Sequence, residues 1–289
     1  MSANGIRLHV AECDGGGPLV VLLHGFPEFW WAWRHQLPVL AEHGFRVVAA
    51  DLRGYGESDK TPRGYDLWTL AGDVAGLIRA LGEPRAHVVG HGWGGLVAWT
   101  VTALHPRLVL SLTALGAPHP LAVRSAVVRD PAGQGRATAR YAAAFQLPRW
   151  PERSLRRDGG ARVERILRDW SGSEWDDFAA AVGHYRRAIQ VTGVVHCALE
   201  YYRWAARSQL RAEGRRFAAA VARVPTVPVL QVLGALDPCV LVPTAAVAHR
   251  WAGQEHRLHV MADSGHFPHE ERPAATTALL AEALTRGHS

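Results

Sequence analysis

Apolar residues along this chain follow two rhythms. Leu19–Leu23 is an unbroken apolar run entered from Gly15-Gly16-Gly17-Pro18, and Arg46–Ala50 is a second, ending at Asp51. Such runs, bounded by turn residues, predict strands buried on both faces. Val88–Val89 and Leu108–Leu115 predict two more. Over Leu67–Leu81 and Gly94–His105 the apolar spacing becomes that of a helix. Strands alternating with helices predict an α/β fold, a mostly parallel sheet with helices on both faces.

The rhythm then changes. From about Leu121 to Val221 no strand pattern is visible, while Ala137–Phe145, Ala161–Trp170, Glu174–Tyr185 and Thr192–Ser208 have helical spacing. Asp130-Pro131, Leu147-Pro148 and Asp158-Gly159-Gly160 mark turns between them. Afterwards the alternation resumes, with strands expected at Val227–Leu233 and Arg257–Met261 and helices at Pro243–Trp251 and Ala274–Leu284. The expected organisation is one core, residues 1–120 and 222–289, interrupted by a helical cap over residues 121–221.

Composition narrows the class. The 289 residues are 48% hydrophobic, enough for a sizeable core. No apolar stretch approaches the roughly 18 residues of a membrane span, and Met1–Val10 lacks the pattern of a secretory signal. Three widely spaced cysteines, Cys13, Cys197 and Cys239, suit a reduced, cytoplasmic setting. Net charge is +6, and Lys60 is the one lysine. The surplus sits in the expected cap, where residues 124–223 hold 19 arginines against 10 acidic residues. The expectation is a solvated helical face. No nucleic-acid motif, membrane contact, metal or cofactor is expected, a small-molecule substrate is, and the oligomeric state is left open.

The candidate chemistry begins at Gly90-His91-Gly92-Trp93-Gly94-Gly95, between an apolar strand and an apolar helix. This is where a G-x-nucleophile-x-G turn exposes its attacking side chain. Gly90 and Gly94 fit the frame, but the nucleophile position is Gly92, which has no side chain. His91 is a poor substitute, because neighbours on such a turn point away from that position. His24-Gly25-Phe26-Pro27-Glu28 follows the first apolar strand. Its turn places the Phe26 amide near that of Trp93, a pair suited to negative charge developing on an oxygen. His24 and Pro27 belong to the same expected substrate-binding turn. Asp237, past the strand ending near Gly234, and His266, in Asp263-Ser264-Gly265-His266-Phe267, are the candidate acid and base.

Together these segments resemble the epoxide hydrolases of the α/β-hydrolase superfamily, over essentially the whole chain. His24 to Arg34 is similar to that family's first motif, and Asp51-Leu52-Arg53-Gly54-Tyr55-Gly56-Glu57-Ser58 to its second. The turn at Gly92 resembles the nucleophile elbow, where the family has Asp. Gly234-Ala235-Leu236-Asp237-Pro238 and Gly265 to Pro273 are similar to the acid and base loops. The resemblance implies two cap tyrosines that hydrogen-bond the epoxide oxygen. Tyr141, before Phe145-Gln146-Leu147-Pro148, and Tyr202, in Leu199-Glu200-Tyr201-Tyr202-Arg203, match those segments. A phenol donates a proton without being ionised at neutral pH. The chain departs from the pattern at Arg149, where the family usually has Gly, and at Glu200, where it usually has Asn.

The family's route is covalent: an Asp attacks the epoxide and water then cleaves the ester. Gly92 removes that route. Three readings remain. His266, oriented by Asp237, activates water for direct attack with Tyr141 and Tyr202 polarising the substrate; or the scaffold is repurposed for ligand binding or other acid–base work; or the chain is a catalytically inactive binding protein. A dehalogenase also needs the missing carboxylate, and a serine esterase needs Ser at the turn.

Overall fold

Continuous apolar strands must be covered on both sides. In the computed structural model, which describes residues 1–172 and 175–286, they form the middle of one sheet. After a small hairpin (β1, Ser2–Ala3; β2, Ile6–Arg7) come β3 (Val10–Asp14), β4 (Leu19–Leu23), β5 (Arg46–Ala50), β6 (Ala86–His91), β7 (Val109–Leu115), β8 (Val229–Gly234) and β9 (His256–Met261). Their spatial order is β3-β5-β4-β6-β7-β8-β9. Only β3 is antiparallel to its neighbour, with Val10 opposite Ala50. The central strands β4 and β6 pair Val21 with Val88 and are buried throughout.

Alternation along β4 divides the core. Leu19, Val21 and Leu23 pack with α2 (Leu67–Ala80) and α3 (Trp93–Leu104). Val20 and Leu22 join the opposite layer with α1 (Gln36–Glu42) and the C-terminal helix Pro273–Arg286. Asp66 caps α2, its carboxylate accepting from the Thr69 amide at 2.9 Å.

Between β7 and β8 the described residues form no strand. They form the helices α4 (Pro120–Arg129), α5 (Arg136–Ala142), α6 (Trp150–Arg156), α7 (Ala161–Trp170), α8 (Phe178–Gln190), α9 (Val194–Ser208) and α10 (Ala212–Val221). This is a mostly parallel α/β sheet with a block of helices inserted between β7 and β8. On α7, Val163, Leu167 and Trp170 face inward while Arg165 and Arg168 are exposed, so the arginine surplus here is a solvated face. The cap rests on the core through polar ties, among them Tyr201 Oη donating to the Arg53 carbonyl at 2.7 Å.

Several boundaries differ from the pattern. The helix expected over Glu174–Tyr185 is Phe178–Gln190; Glu174 lies outside the described residues. Arg186 and Arg187 disguise its last turn, which still buries Ile189. The helix expected from Thr192 starts at Val194, after Gly193 at φ 88°. Pro243–Trp251 divides into α11 (Val242–Val247) and a 3₁₀ turn, Ala248–Trp251. After β9 follow α12 (Pro268–Glu271) and α13 (Pro273–Arg286).

Candidate active site

β6 ends at His91, the chain reverses at Gly92, and α3 starts at Trp93. Three glycines make this turn for different reasons. A Cβ on Gly90 would lie 2.3 Å from the Gly94 carbonyl oxygen, and one on Gly94 would lie 2.2 Å from that of Leu23, so strand and helix approach too closely for any side chain. A Cβ on Gly92 would meet only Gly25 Cα at 3.5 Å and His266 Nε2 at 3.7 Å, ordinary contacts. Gly92 is favoured instead by its backbone, φ 51° and ψ −116°, which L-residues adopt at a cost.

Loops at the ends of β8 and β9 bring Asp237 and His266 to this turn. Asp237 Oδ1 accepts the Cys239 and Val240 amides at 2.7 and 3.0 Å, which leaves Oδ2 to take His266 Nδ1 at 2.8 Å. The carboxylate thereby holds the Nδ1–H tautomer and aims Nε2 at the space above Gly92. Burial opposes charging of the imidazole, but Asp237, with Glu28 and Glu271, outweighs it and raises the His266 pKa. Glu271 braces the base loop from behind, accepting the Gly265 and Phe267 amides at 2.9 and 3.0 Å.

A buried cluster under the turn was not apparent from the sequence. His91 points away from the slot: Nδ1 lies 2.7 Å from Glu28 Oε2 and Nε2 lies 2.8 Å from the His266 carbonyl oxygen. The two contacts fix the His91 ring beneath the turn. Glu28 also accepts from His269 Nε2 at 2.9 Å. Burial would raise the Glu28 pKa, yet His91 and His269 hold it well below the usual carboxylate range. Burial pushes His269 down to about 4, leaving it neutral. Glu28 and His269 stand inside recognisable motifs, but nothing in the sequence announces that they meet. Nearby, Arg34 joins Asp177 of the cap to Glu270 of the core at 2.7 and 2.8 Å.

Above the turn lies a cavity of about 400 Å³, mostly apolar. Phe26, Gly92, Trp93, Tyr141, Tyr202 and His266 line its reactive end, and Leu121, Val127 and Phe217 its far walls. The Tyr202 ring stands edge-on to Trp93 at 5.1 Å and 6.1 Å from Tyr141, and Trp170 stands edge-on to His266 at 5.4 Å. Burial raises the pKa of both phenols, so they enter any reaction protonated. The Phe26 N–H has no acceptor among the described residues. The Trp93 N–H opens α3, a position without an intrahelical acceptor.

Two expected substrate-binding residues take other places. His24 is fully buried, accepts the Leu52 amide on Nε2 at 3.0 Å and donates from Nδ1 to the Gly25 carbonyl at 2.8 Å. It props the turn and does not line the cavity. Pro27 is buried outside the cavity lining as well. Three clusters have metal-ligand atoms within 4.8 Å of one another, Glu28-His91-His269, Asp237-Cys239-His266 and His35-Asp177-Glu270. In the first two the groups already hydrogen-bond one another, and in the third Arg34 neutralises the carboxylates. The arrangement suits acid–base chemistry: an oriented imidazole, two neutral phenols and two amide donors around one mostly apolar cavity.

Comparison with known proteins identifies the family. The model of the α/β hydrolase fold matches residues 18–273. The AB hydrolase superfamily protein YfhM of Bacillus subtilis is 34% identical over 98% of this chain and 96% of its own length. Epoxide hydrolase A of Mycobacterium tuberculosis is 32% identical over 99% of this chain and 96% of its own. The crystal structure of epoxide hydrolase A from Mycobacterium thermoresistibile superposes with a TM-score of 0.83 at 29% identity, covering 99% of this chain and 97% of that one. No helix among the described residues is long and apolar enough to cross a membrane.

Proposed function

The chain belongs to the α/β hydrolase fold family and, within it, to the epoxide hydrolases, and from that membership we propose that it opens an epoxide by direct attack of water rather than through an enzyme ester. The supporting observation is His266, with Nδ1 on Asp237 at 2.8 Å and Nε2 facing the unfilled side-chain position of Gly92 at 3.7 Å. A water above Gly92 gives a proton to Nε2 as its oxygen attacks a ring carbon. The carbon–oxygen bond breaks, and Tyr202 or Tyr141 protonates the departing oxygen. The product is a diol, and solvent exchange restores the imidazole and the phenol. Apolar walls around this end fit an epoxide with an apolar substituent.

A single turnover in ¹⁸O-labelled water tests the route. Direct attack places solvent oxygen in the first diol formed. Unlabelled diol from the native chain in that first turnover would mean that another enzyme oxygen attacks, and would overturn the reading. If neither the native chain nor Gly92→Asp opens any member of a broad epoxide panel, a ligand-binding role replaces it.

A further inference from the structure

We propose that the space over Gly92 is a binding site for a short carboxylate, of formate or acetate size, and that the bound anion serves as the nucleophile the chain lacks. The idea rests on the epoxide-opening reading above and names a co-substrate that, when bound, takes the place of the attacking water at that site.

The slot admits the first atom of a side chain. The Cβ position at Gly92 makes only two contacts, at 3.5 and 3.7 Å, and neither demands that a neighbour move. The surroundings favour an anion. Gly92 precedes the first turn of α3, a twelve-residue helix, where backbone N–H groups and the helix dipole attract negative charge. His266 supplies the independent feature. It is 7% exposed, and its Nε2 has no hydrogen-bond partner among the described residues while aiming into the slot. Asp237 raises the affinity of this imidazole for a proton, so a bound carboxylate meets a ready donor. The acids at this site are already engaged, Glu28 with His91 at 2.7 Å and Asp237 with His266 Nδ1 at 2.8 Å.

The chemistry balances without an outside oxidant or reductant. A carboxylate oxygen attacks a ring carbon as the epoxide carbon–oxygen bond breaks. Tyr202 or Tyr141 gives its proton to the alkoxide, and the product is a hydroxyalkyl ester. The His266 proton that held the anion then restores the phenol, and the neutral imidazole takes a proton from water as that water attacks the ester carbonyl, releasing diol and carboxylate. The oxygen that joined the ring carbon stays in the diol.

Binding and turnover are measured separately. Sodium formate and sodium acetate are titrated into the native chain by calorimetry, with sodium chloride holding ionic strength constant. Saturable binding is expected, weakened about tenfold or more in Gly92→Asp, whose own carboxylate fills the slot, and in His266→Gln. No saturable binding to the native chain, or equal binding to both variants, overturns the site. In turnover, formate is expected to raise epoxide opening by the native chain about tenfold, saturating with the binding constant, and ¹⁸O-formate is expected to label the diol. Gly92→Asp gains nothing from formate. Binding without acceleration, in a chain that still opens epoxides, overturns the nucleophile step alone. Binding with no opening by the native chain plus formate, or by Gly92→Asp, keeps the anion site and overturns both that step and the epoxide reading.

Discussion

His266 Nε2 stands 3.7 Å from the point that a Cβ on Gly92 would occupy. Base and nucleophile position thus face each other. A Cβ here makes only ordinary contacts but inherits φ 51°. Gly92→Asp is expected to lower unfolding free energy by about 1–3 kcal/mol, the cost of a strained elbow. Gly92→Ala should cost a similar amount, because the penalty lies in the backbone. Urea unfolding of both variants checks this, and a stabilised Ala variant would sink the strain argument. Where Gly92→Asp folds, it should open epoxides faster than the native chain, since covalent catalysis divides one hard step into two.

The pairing of His266 with Asp237 sets a pH dependence. Burial works against the imidazolium, but Asp237 holds the pKa above the ordinary 6.5. The base acts in its neutral form, so kcat/KM should rise with pH along a limb centred above 6.5. Asp237→Asn leaves burial dominant, which moves the limb to lower pH and cuts the rate about 10²–10⁴-fold. The pair's contribution to stability has the opposite sense. It is complete below 6.5 and is lost as pH rises through the folded-state value. A pH–rate profile of both proteins checks the limb, and an unshifted limb in Asp237→Asn would count against the assignment.

The readability of the chain follows how each segment is buried. β4, β5 and β6 are covered on both faces, so their apolar runs stand out. β3 lies half exposed at the sheet edge and carries Glu12 and Asp14, which hide it. α4 was missed because only Ala122 is buried; Val123 and Val127 line the cavity and Val128 is exposed. Turn chemistry made Gly92, Asp237 and His266 legible. Glu28 and His91, 63 residues apart, become partners only through the sheet. The two departures in the cap have local accounts. Arg149 takes φ 59°, the conformation that favours Gly there, and Glu200 pairs with Arg203 and Arg207 at 3.4 and 2.9 Å.

Tyr141 and Tyr202 lie on one cavity with ring centres 6.1 Å apart. Replacing either by Phe keeps the ring and removes the proton donor. Each single substitution is expected to lower kcat about 10²-fold, with KM changed less, because the phenol acts on the opening oxygen. The double variant should fall further. Steady-state kinetics on the four proteins checks this, and an unchanged kcat in the double variant would remove the phenols from the mechanism.

Glu28 lies at the centre of the deepest charge cluster, fully buried between His91 and His269. Glu28→Gln removes the buried carboxylate that contacts both His91 and His269. Breaking a buried pair from one side costs about 3–5 kcal/mol, and that loss is expected in urea unfolding near neutral pH. The sign with pH follows from the lowered Glu28 pKa: its contribution is present above the ordinary 4.5 and fades as pH falls toward the folded-state value. The gap between native and variant stability should therefore narrow in acid. Activity should fall with stability, because His91 Nε2 holds the His266 carbonyl at 2.8 Å and with it the height of the base above Gly92. A variant as stable as the native chain at neutral pH would mean that the buried carboxylate does not hold this cluster together.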